Sequence, residues 1–210
     1  MSRPISIYVC QNCGAQTRQF FGRCNSCGEW NSIIEEKINR KVDRSSLAKI
    51  NSSSEKIPYR SELIGHKQKS QIERISSGYK EFDRVLGGGL VPGSLVLIGG
   101  DPGIGKSTLI LQSATAMAHT RSVLYVAAEE SAEQVRLRWD RIEESDSNLH
   151  LLAETDLEMV IKELDSLKPN VAIIDSIQAL HDPNLSSAPG SVAQVRECSS
   201  ALQRIAKKQN

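Results

Sequence analysis

Nine residues, 100–108, constrain the fold of this chain more than any other stretch. The first eight match the pattern G-x-x-x-x-G-K-[ST], and the nine are Gly100, Asp101, Pro102, Gly103, Ile104, Gly105, Lys106, Ser107 and Thr108. Glycines in such a loop let the backbone adopt positive φ and bring its N–H groups close to phosphate oxygens. Lys106 supplies a positive charge for the β- and γ-phosphates, and the Ser107 hydroxyl can coordinate Mg²⁺. The loop therefore predicts a site for ATP and Mg²⁺; the alternative is a glycine-rich turn that binds nothing.

Apolar runs on both sides of this loop predict alternating strands and helices. Residues 95–98 predict a strand that leads into the loop, and a helix-spaced apolar series follows it. Later apolar runs predict three more strands, over residues 123–127, 149–152 and 171–174. Helical patterns separate these strands, and such alternation predicts an α/β fold with a parallel sheet and helices on both faces.

Capping and spacing signals predict where the helices lie. Two capping boxes predict helix starts: Ser131 with Gln134, and Thr155 with Glu158. A short helix is predicted over 77–86, with three apolar residues on one side: Phe82, Val85 and Leu86. A last amphipathic pattern covers 192–205 and includes Cys198, for which we expect a buried thiol.

Acidic residues follow two of the predicted strands. Asp175 ends the strand over 171–174, and parallel strands bring their carboxyl ends to the edge where ligands bind. We expect Asp175 to hold the Mg²⁺ shell; the alternative is an aspartate that caps a turn with Ser176. Glu129 and Glu130 follow the strand over 123–127. We favour Glu129, nearer the strand end, as the residue that polarises the attacking water, and the alternative for either is a solvated side chain.

Two copies of C-x-x-C-G stand near the amino terminus. They contribute Cys10, Cys13, Cys24 and Cys27. Each turn places two thiolates on one ion, so the pair predicts a closed four-sulfur site for Zn²⁺, with a redox dithiol or an iron–sulfur site as alternatives. About thirty residues cannot build a sufficient core unaided, and metal binding should supply the folding energy.

The cysteine-containing segment is also rich in aromatic residues and arginines: Tyr8, Phe20, Phe21 and Trp30, with Arg18 and Arg23. Aromatic rings interleaved with arginines can stack on the bases of single-stranded nucleic acid. The same rings could instead form the miniature apolar core of the module. The sequence leaves both readings open.

Composition divides the chain into three parts. We predict a zinc module over 1–34, a basic polar linker over 35–70 and a nucleotide-binding core over 71–210. Residues 1–70 carry twelve Lys and Arg against six Asp and Glu, which fits either a region that faces nucleic acid or a solvated linker. No apolar run reaches the ~18 residues of a membrane span. We therefore expect a cytoplasmic protein without a membrane partner, whose thiols stay reduced.

Several of these motifs together resemble the bacterial RadA/Sms DNA-repair ATPases, relatives of the RecA recombinase core. The matching segments are the two C-x-x-C-G turns, LGGGLVPGS over 86–94, GGDPGIGKST over 99–108, EES over 129–131, VAIIDSIQ over 171–178 and APGSVAQVREC over 188–198. The resemblance implies a RecA-like core and a zinc-binding, DNA-dependent ATPase. It implies a homo-oligomeric ring that acts on single-stranded or branched DNA, drives branch migration of recombination intermediates and has a recombinase among its partners.

The resemblance also assigns roles and marks a difference. It maps phosphate binding onto 100–108, the metal-side aspartate onto Asp175 and the activating glutamate onto Glu129, and it expects the segment around 189–197 to face DNA or neighbouring subunits. Family members continue past the position of Asn210 with a further core strand, a lysine–asparagine–arginine–phenylalanine–glycine motif and a Lon-protease-like domain. The alternative function is therefore a chain that binds nucleotide or DNA without turnover. A small-molecule kinase is disfavoured, because no substrate lid is apparent.

Overall fold

The computed structural model describes residues 5–38, 73–142, 148–185 and 187–209. Its first unit is a three-stranded antiparallel sheet in the order β2-β1-β3. The strands are β1 (Ile5–Cys10), β2 (Gln16–Thr17) and β3 (Ile33–Ile38). β3 extends past residue 34, and most of the predicted linker lies outside the described residues.

The two cysteine turns of this sheet have the same backbone geometry. In the first turn the Gly14 N–H donates to the Cys10 carbonyl, and in the second the Gly28 N–H donates to the Cys24 carbonyl, at 2.8 and 2.9 Å. Gly14 and Gly28 adopt φ of 70° and 77°, a left-handed conformation that favours glycine. The glycine of each C-x-x-C-G motif thus lets the chain curl around its two sulfurs.

The second unit alternates strands and helices around a parallel sheet. Its strands are β4 (Val123–Ala127), β5 (Leu149–Ala153) and β6 (Val171–Asp175), in the order β5-β4-β6. Its helices are α1 (Lys80–Val85), α2 (Lys106–Ala118), α3 (Ala132–Trp139), α4 (Leu157–Leu167) and α5 (Val192–Lys208). These elements confirm the predicted α/β class.

Strand β4 divides the apolar core into two clusters. Its five side chains are all buried and alternate between the faces of the sheet. Tyr125 packs with residues of α2 on one face, whereas Leu124 and Val126 pack with residues of α4 and α5 on the other. Cys198 belongs to the second cluster, where it is buried as predicted, and burial raises the pKa of its thiol to about 11. Helices therefore cover both faces, as the alternation predicted.

The strand predicted over 95–98 is wrong. The segment has no strand structure, and three of its four apolar side chains are exposed: Leu97 is 83% accessible to solvent. A strand is held by hydrogen bonds to a neighbouring strand. Within the described residues, the sheet ends at β6 and places no strand beside this segment. Apolar composition alone therefore does not make it a strand.

Two helix predictions also need correction. The residue that caps α4 is Asp156 rather than Thr155, because its carboxylate accepts the Glu158 N–H at 2.7 Å. The Thr155 N–H donates instead to the Glu154 carboxylate, which takes Thr155 out of the capping geometry. Helix α1 is shorter than expected, and Val85, predicted on its apolar side, is 75% exposed.

The core of the cysteine-containing unit is very small. Cys10, Cys24 and Ile33 form it, with Tyr8 and Ala15 packed against them. The rings of Phe20 and Trp30 are 60% and 66% exposed, so they are not part of this core. The miniature-core interpretation therefore holds for Tyr8 but not for Phe20 or Trp30. The unit contacts the second one where Arg196 of α5 donates to the Gly14 carbonyl at 3.1 Å.

Among the described residues, none of the helices is both long and apolar enough to cross a membrane.

Candidate nucleotide and metal sites

Topology places the loop 100–108 at the carboxyl end of the parallel strands. Helix α2 begins at Lys106, within the loop, and residues 119–122 connect its end to the start of β4. The Asn148 N–H, just before β5, donates to the Ala118 carbonyl at the end of α2, at 3.1 Å. The helix therefore runs antiparallel to the strands, and its first residue lies near their carboxyl ends. This is the edge at which open α/β sheets bind ligands.

The glycines of the loop determine its backbone conformation. Gly103 and Gly105 adopt φ of 78° and 98°. A Cβ atom built on either glycine would meet nothing within 4 Å, so the space beside both glycines is open. The Lys106 ammonium folds back over the loop and donates to the carbonyls of Gly100 and Asp101, both at 2.8 Å. A flexible cation and a helix amino terminus beside open space fit the phosphates of ATP.

Asp175 and Glu129 meet at the same sheet edge. The Ala128 N–H donates to the Asp175 carbonyl at 2.8 Å, which ties the chain after β4 to the end of β6. The Glu129 carboxylate accepts hydrogen bonds from the Ser176 hydroxyl and from the Gln178 amide, the latter at 3.0 Å. Asp175, the last residue of β6, and Glu129, two residues after the end of β4, thus lie at one end of the sheet.

A buried tyrosine contacts the Asp175 carboxylate. The Tyr125 hydroxyl donates to Asp175 Oδ2 at 2.6 Å, and Tyr125 is 1% exposed. Burial raises the pKa of the Tyr125 phenol and the neighbouring Asp175 carboxylate raises it further, so the hydroxyl keeps its proton and donates.

Glu130 has a different environment from Glu129. It forms an ion pair with Arg138 of α3, and both side chains are largely buried, at 34% and 24% exposure. Burial opposes the charge of Arg138, but the ion pair outweighs burial and raises the pKa of the guanidinium. Glu130 is therefore committed to a structural ion pair, whereas within the described part of the chain Glu129 accepts its hydrogen bonds from neutral donors.

The roles assigned to these residues through ATP, Mg²⁺ and water stay predictions. Among the described residues, no hydrogen bond joins Lys106 or Ser107 to Asp175 or Glu129; only the topology brings them to one edge. Sequence reasoning also missed three residues that hold the carboxylates: Tyr125, Gln178 and Arg138. A signal existed for two of them, because Tyr125 carries the one polar side chain of β4, and Gln178 follows Asp175 closely on the same strand end.

The four cysteines predicted as metal ligands converge. Their Sγ atoms all lie within 4.8 Å of one another, with 3.7 Å between Cys10 and Cys27 and 3.6 Å between Cys13 and Cys24. A tetrahedral zinc ion with Zn–S bonds of ~2.3 Å requires S···S distances of about 3.8 Å. The spacing fits a four-sulfur Zn²⁺ site and is far too long for disulfide bonds.

The protonation of these thiols also fits a cation site. Burial opposes ionisation of Cys10, but hydrogen bonds from Ser32 and from the backbone outweigh it and lower its pKa to about 6. Backbone N–H groups of Cys27 and Ser26 lower the pKa of Cys24 as well. Cys13 behaves oppositely: a backbone hydrogen bond favours its thiolate, but burial and the other sulfurs raise its pKa to about 11. Several thiolates at this spacing repel one another, and a divalent cation removes that repulsion.

Comparison with known families gives a class for each unit. Residues 63–210 match a family described as AAA domain, and residues 8–35 match one described as rubredoxin metal binding domain. The phosphate loop and acidic sheet edge lie in the first match and the four cysteines lie in the second. The chain is thus an AAA-domain protein with an amino-terminal metal-binding module.

Relatives of the whole chain define the family more narrowly. The chain is 43% identical over 208 residues to DNA repair protein RadA of Bacillus subtilis, 46% over 234 residues to that of Synechocystis and 44% over 210 residues to that of Listeria monocytogenes. These alignments cover 99%, 99% and 100% of this chain. The chain belongs to the RadA family. It spans about half the length of these relatives, covering 45%, 46% and 45% of them.

Proposed function

We propose that this chain is a DNA-dependent ATPase of recombinational DNA repair that acts in the processing and branch migration of recombination intermediates. The observation that carries the proposal is the convergence of an open phosphate loop, Asp175 and Glu129 at one edge of a parallel sheet. The repair context comes from the relatives, which are named DNA repair proteins. Assembly into a ring, contact with a recombinase and a cytoplasmic location belong to the proposal through the resemblance alone.

Each residue has a role in the proposed hydrolysis. The backbone of 100–108 binds the phosphates, and Lys106 leaves the carbonyls of Gly100 and Asp101 to pair with the β- and γ-phosphates. Ser107 and Asp175 would hold Mg²⁺, and the bound ion would neutralise charge that develops on the phosphates. Glu129 orients the water that attacks the γ-phosphorus and accepts its proton, while the bond to the β–γ bridging oxygen breaks and ADP leaves. Gln178 keeps the Glu129 carboxylate directed.

A second candidate is nucleotide binding without turnover. The observation that favours it is the segment 95–98, which leads into the loop but is not held in the sheet, with Leu97 exposed. A phosphate loop without a fixed strand before it can bind ATP yet position the γ-phosphate poorly, and misplacement by about 1 Å costs ~10²-fold in rate.

One pair of measurements tests both candidates. ATP hydrolysis by the 210-residue chain is measured with and without single-stranded DNA, and binding of a fluorescent ATP analogue is measured in parallel. The ATPase proposal expects hydrolysis that DNA stimulates and that Lys106→Ala abolishes. Binding with hydrolysis no faster than in Lys106→Ala would instead establish the second candidate. Absence of ATP binding would overturn both.

We propose that the exposed rings of the zinc module contact single-stranded DNA. Phe20 and Trp30 are exposed, Phe20 packs edge-on against Tyr8 at 5.9 Å, and the Arg23 guanidinium lies 5.7 Å from the Trp30 ring. Aromatic faces beside arginines stack on bases with ~1–3 kcal/mol per base. Such stacking is sequence-tolerant, which suits a protein that acts on many DNA sequences.

The DNA contact is tested by fluorescence anisotropy with a labelled oligothymidine. Trp30→Ala should weaken binding by roughly tenfold or more, the equivalent of losing one stacked base. The matched control is Leu137→Ala, which removes a 62% exposed apolar side chain from α3 in the other unit and should leave binding unchanged. Equal affinity of Trp30→Ala and the unaltered chain would rule out this surface, and a protein partner would then be the better explanation of the rings.

A further inference from the structure

The Tyr125 side chain reaches from the middle of β4 to the edge of the sheet where Asp175 lies. In the register of β4 and β6, Tyr125 pairs with Ile173, two residues before Asp175. Because side chains two residues apart lie on the same face of a sheet, the Tyr125 ring points along the face on which Asp175 ends. Its hydroxyl meets Asp175 Oδ2 at 2.6 Å.

The Tyr125 ring is held rigidly. It is 1% exposed and is the largest of the fully buried side chains among the described residues. It packs in the cluster that includes Leu111 and Ala114 of α2, the helix that begins at the phosphate loop. The position of its hydroxyl is thus fixed by the same helix that carries Lys106 and Ser107.

Packing alone does not account for a hydroxyl at this position. A phenylalanine would fill the same space, whereas a buried hydroxyl must find a hydrogen-bond partner. The hydroxyl donates one proton to one oxygen of Asp175 and leaves Oδ1 for another ligand. Partners that orient a metal-binding carboxylate in this way typically account for 10–100-fold in metal affinity.

We infer that Tyr125 is a positioning residue for Asp175, which it holds in the orientation that binds the magnesium of MgATP. The inference rests on the proposed function, because it assigns Asp175 to the magnesium shell. According to this inference, Tyr125 contributes to the affinity for MgATP. It does not contribute to the affinity of the phosphate loop for ATP without Mg²⁺.

Tyr125→Phe tests the inference, because it removes only the hydroxyl. Binding of a fluorescent ATP analogue is titrated with Mg²⁺ and, separately, in EDTA. The expected result is at least a tenfold rise in the Mg²⁺ concentration for half-maximal binding, with the affinity in EDTA unchanged. The unchanged EDTA affinity also reports that the variant is folded. Tyr79→Phe is the matched control, since Tyr79 is 37% exposed, and it should change neither value.

A double variant separates positioning from a general effect on the fold. If Tyr125 acts through Asp175, then Tyr125→Phe combined with Asp175→Asn has the Mg²⁺ dependence of Asp175→Asn alone. Additive losses, or a Tyr125→Phe protein with a lower melting temperature and an unaltered Mg²⁺ midpoint, would overturn the inference while the proposed function survives. ATP binding by the unaltered chain that shows no Mg²⁺ dependence would overturn the proposed function, and the inference with it.

Discussion

The two units of this molecule are stabilised by different means. The second unit, residues 73–209, for which we propose nucleotide binding, has two apolar clusters on either side of β4, whose five residues are all buried. The cysteine-containing unit has a core of Cys10, Cys24 and Ile33, and two of these three are candidate metal ligands. We therefore expect the chain to depend on apolar packing in one unit and on metal binding in the other. Each unit should therefore be able to unfold while the other stays folded.

Zinc removal is expected to have the largest effect. Structural zinc contributes about 10 kcal/mol or more of folding free energy in small modules, so Cys24→Ser or a strong chelator should unfold the cysteine-containing unit. The NMR signals of residues 5–38 should collapse to unfolded positions while those of β4 persist. Cys198→Ser is the matched control, because Cys198 is buried in the other unit and should leave the zinc content unchanged. Native NMR signals for residues 5–38 in the chelated protein would show that the cysteine-containing unit does not depend on the ion.

Loss of Glu129 is expected to affect only the chemistry of the nucleotide-binding unit. Glu129→Gln keeps acceptor capacity but removes the proposed base, and ATP hydrolysis should fall by ~10²-fold or more while ATP binding and zinc content stay unchanged. Glu130→Gln is the comparison variant: it breaks the pair with Arg138 and should lower stability more than the rate. Equal losses of rate in both variants would contradict the assignment of Glu129 as the base.

A cavity in the packed core should destabilise the nucleotide-binding unit alone. Leu124 is 1% exposed in the cluster with α4 and α5, so Leu124→Ala should cost ~2–5 kcal/mol in the free energy of unfolding, measured by urea denaturation. Leu137→Ala, on the exposed side of α3, should cost less than ~0.5 kcal/mol. If Leu124→Ala also released zinc, the units would not be independent.

The smallest expected effect comes from a pH-dependent contact between Asp83 of α1 and the residues that precede this helix. Asp83 accepts hydrogen bonds from the Ser76 hydroxyl at 2.6 Å and from the Ser77 N–H at 2.8 Å. Burial opposes its charge, but these bonds outweigh burial and lower the pKa of Asp83 in the folded state. Its stabilisation is therefore present above the unfolded pKa of ~4 and is lost as the pH falls through the folded pKa.

Denaturation at two pH values checks this contact. Asp83→Asn should be less stable by about 1 kcal/mol at pH 6, and the difference from the unaltered chain should shrink below about pH 4. Asp140→Asn, at an exposed position after α3, should show no such pH dependence. A deficit of Asp83→Asn that stays constant down to pH 3 would contradict the assignment.

Local patterns predicted what depends on neighbouring residues in sequence. The cysteine turns, β4 and the aspartate at the end of β6 all follow from short motifs, and the structure has them where they were expected. The segment 95–98 was mispredicted because strand formation depends on a partner strand, which local composition does not report. The capping box predicted at Thr155 does not form, because its two donors have other acceptors. Glu154 accepts the Thr155 N–H, and Asp156 accepts the Glu158 N–H.

Contacts between distant parts of the chain were beyond local patterns. The bond between Tyr125 and Asp175 joins residues on two strands, and it depends on the register of β4 against β6. The exposure of Phe20 and Trp30 likewise depends on which rings the small core excludes, and composition alone allowed both outcomes. Register and exclusion from a core are properties of the folded chain as a whole.

Helix α2 connects the loop of the candidate nucleotide site to the apolar core. Its first residue, Lys106, closes the phosphate loop, and Leu111, little more than one turn later, is 1% exposed in the core. A ligand that rigidifies the start of this helix therefore tightens the whole unit, and at 100 times its Kd it adds about 2.7 kcal/mol. Heat denaturation thus becomes an assay for cognate nucleotides: a panel of nucleoside triphosphates can be ranked by the temperature at which the chain melts.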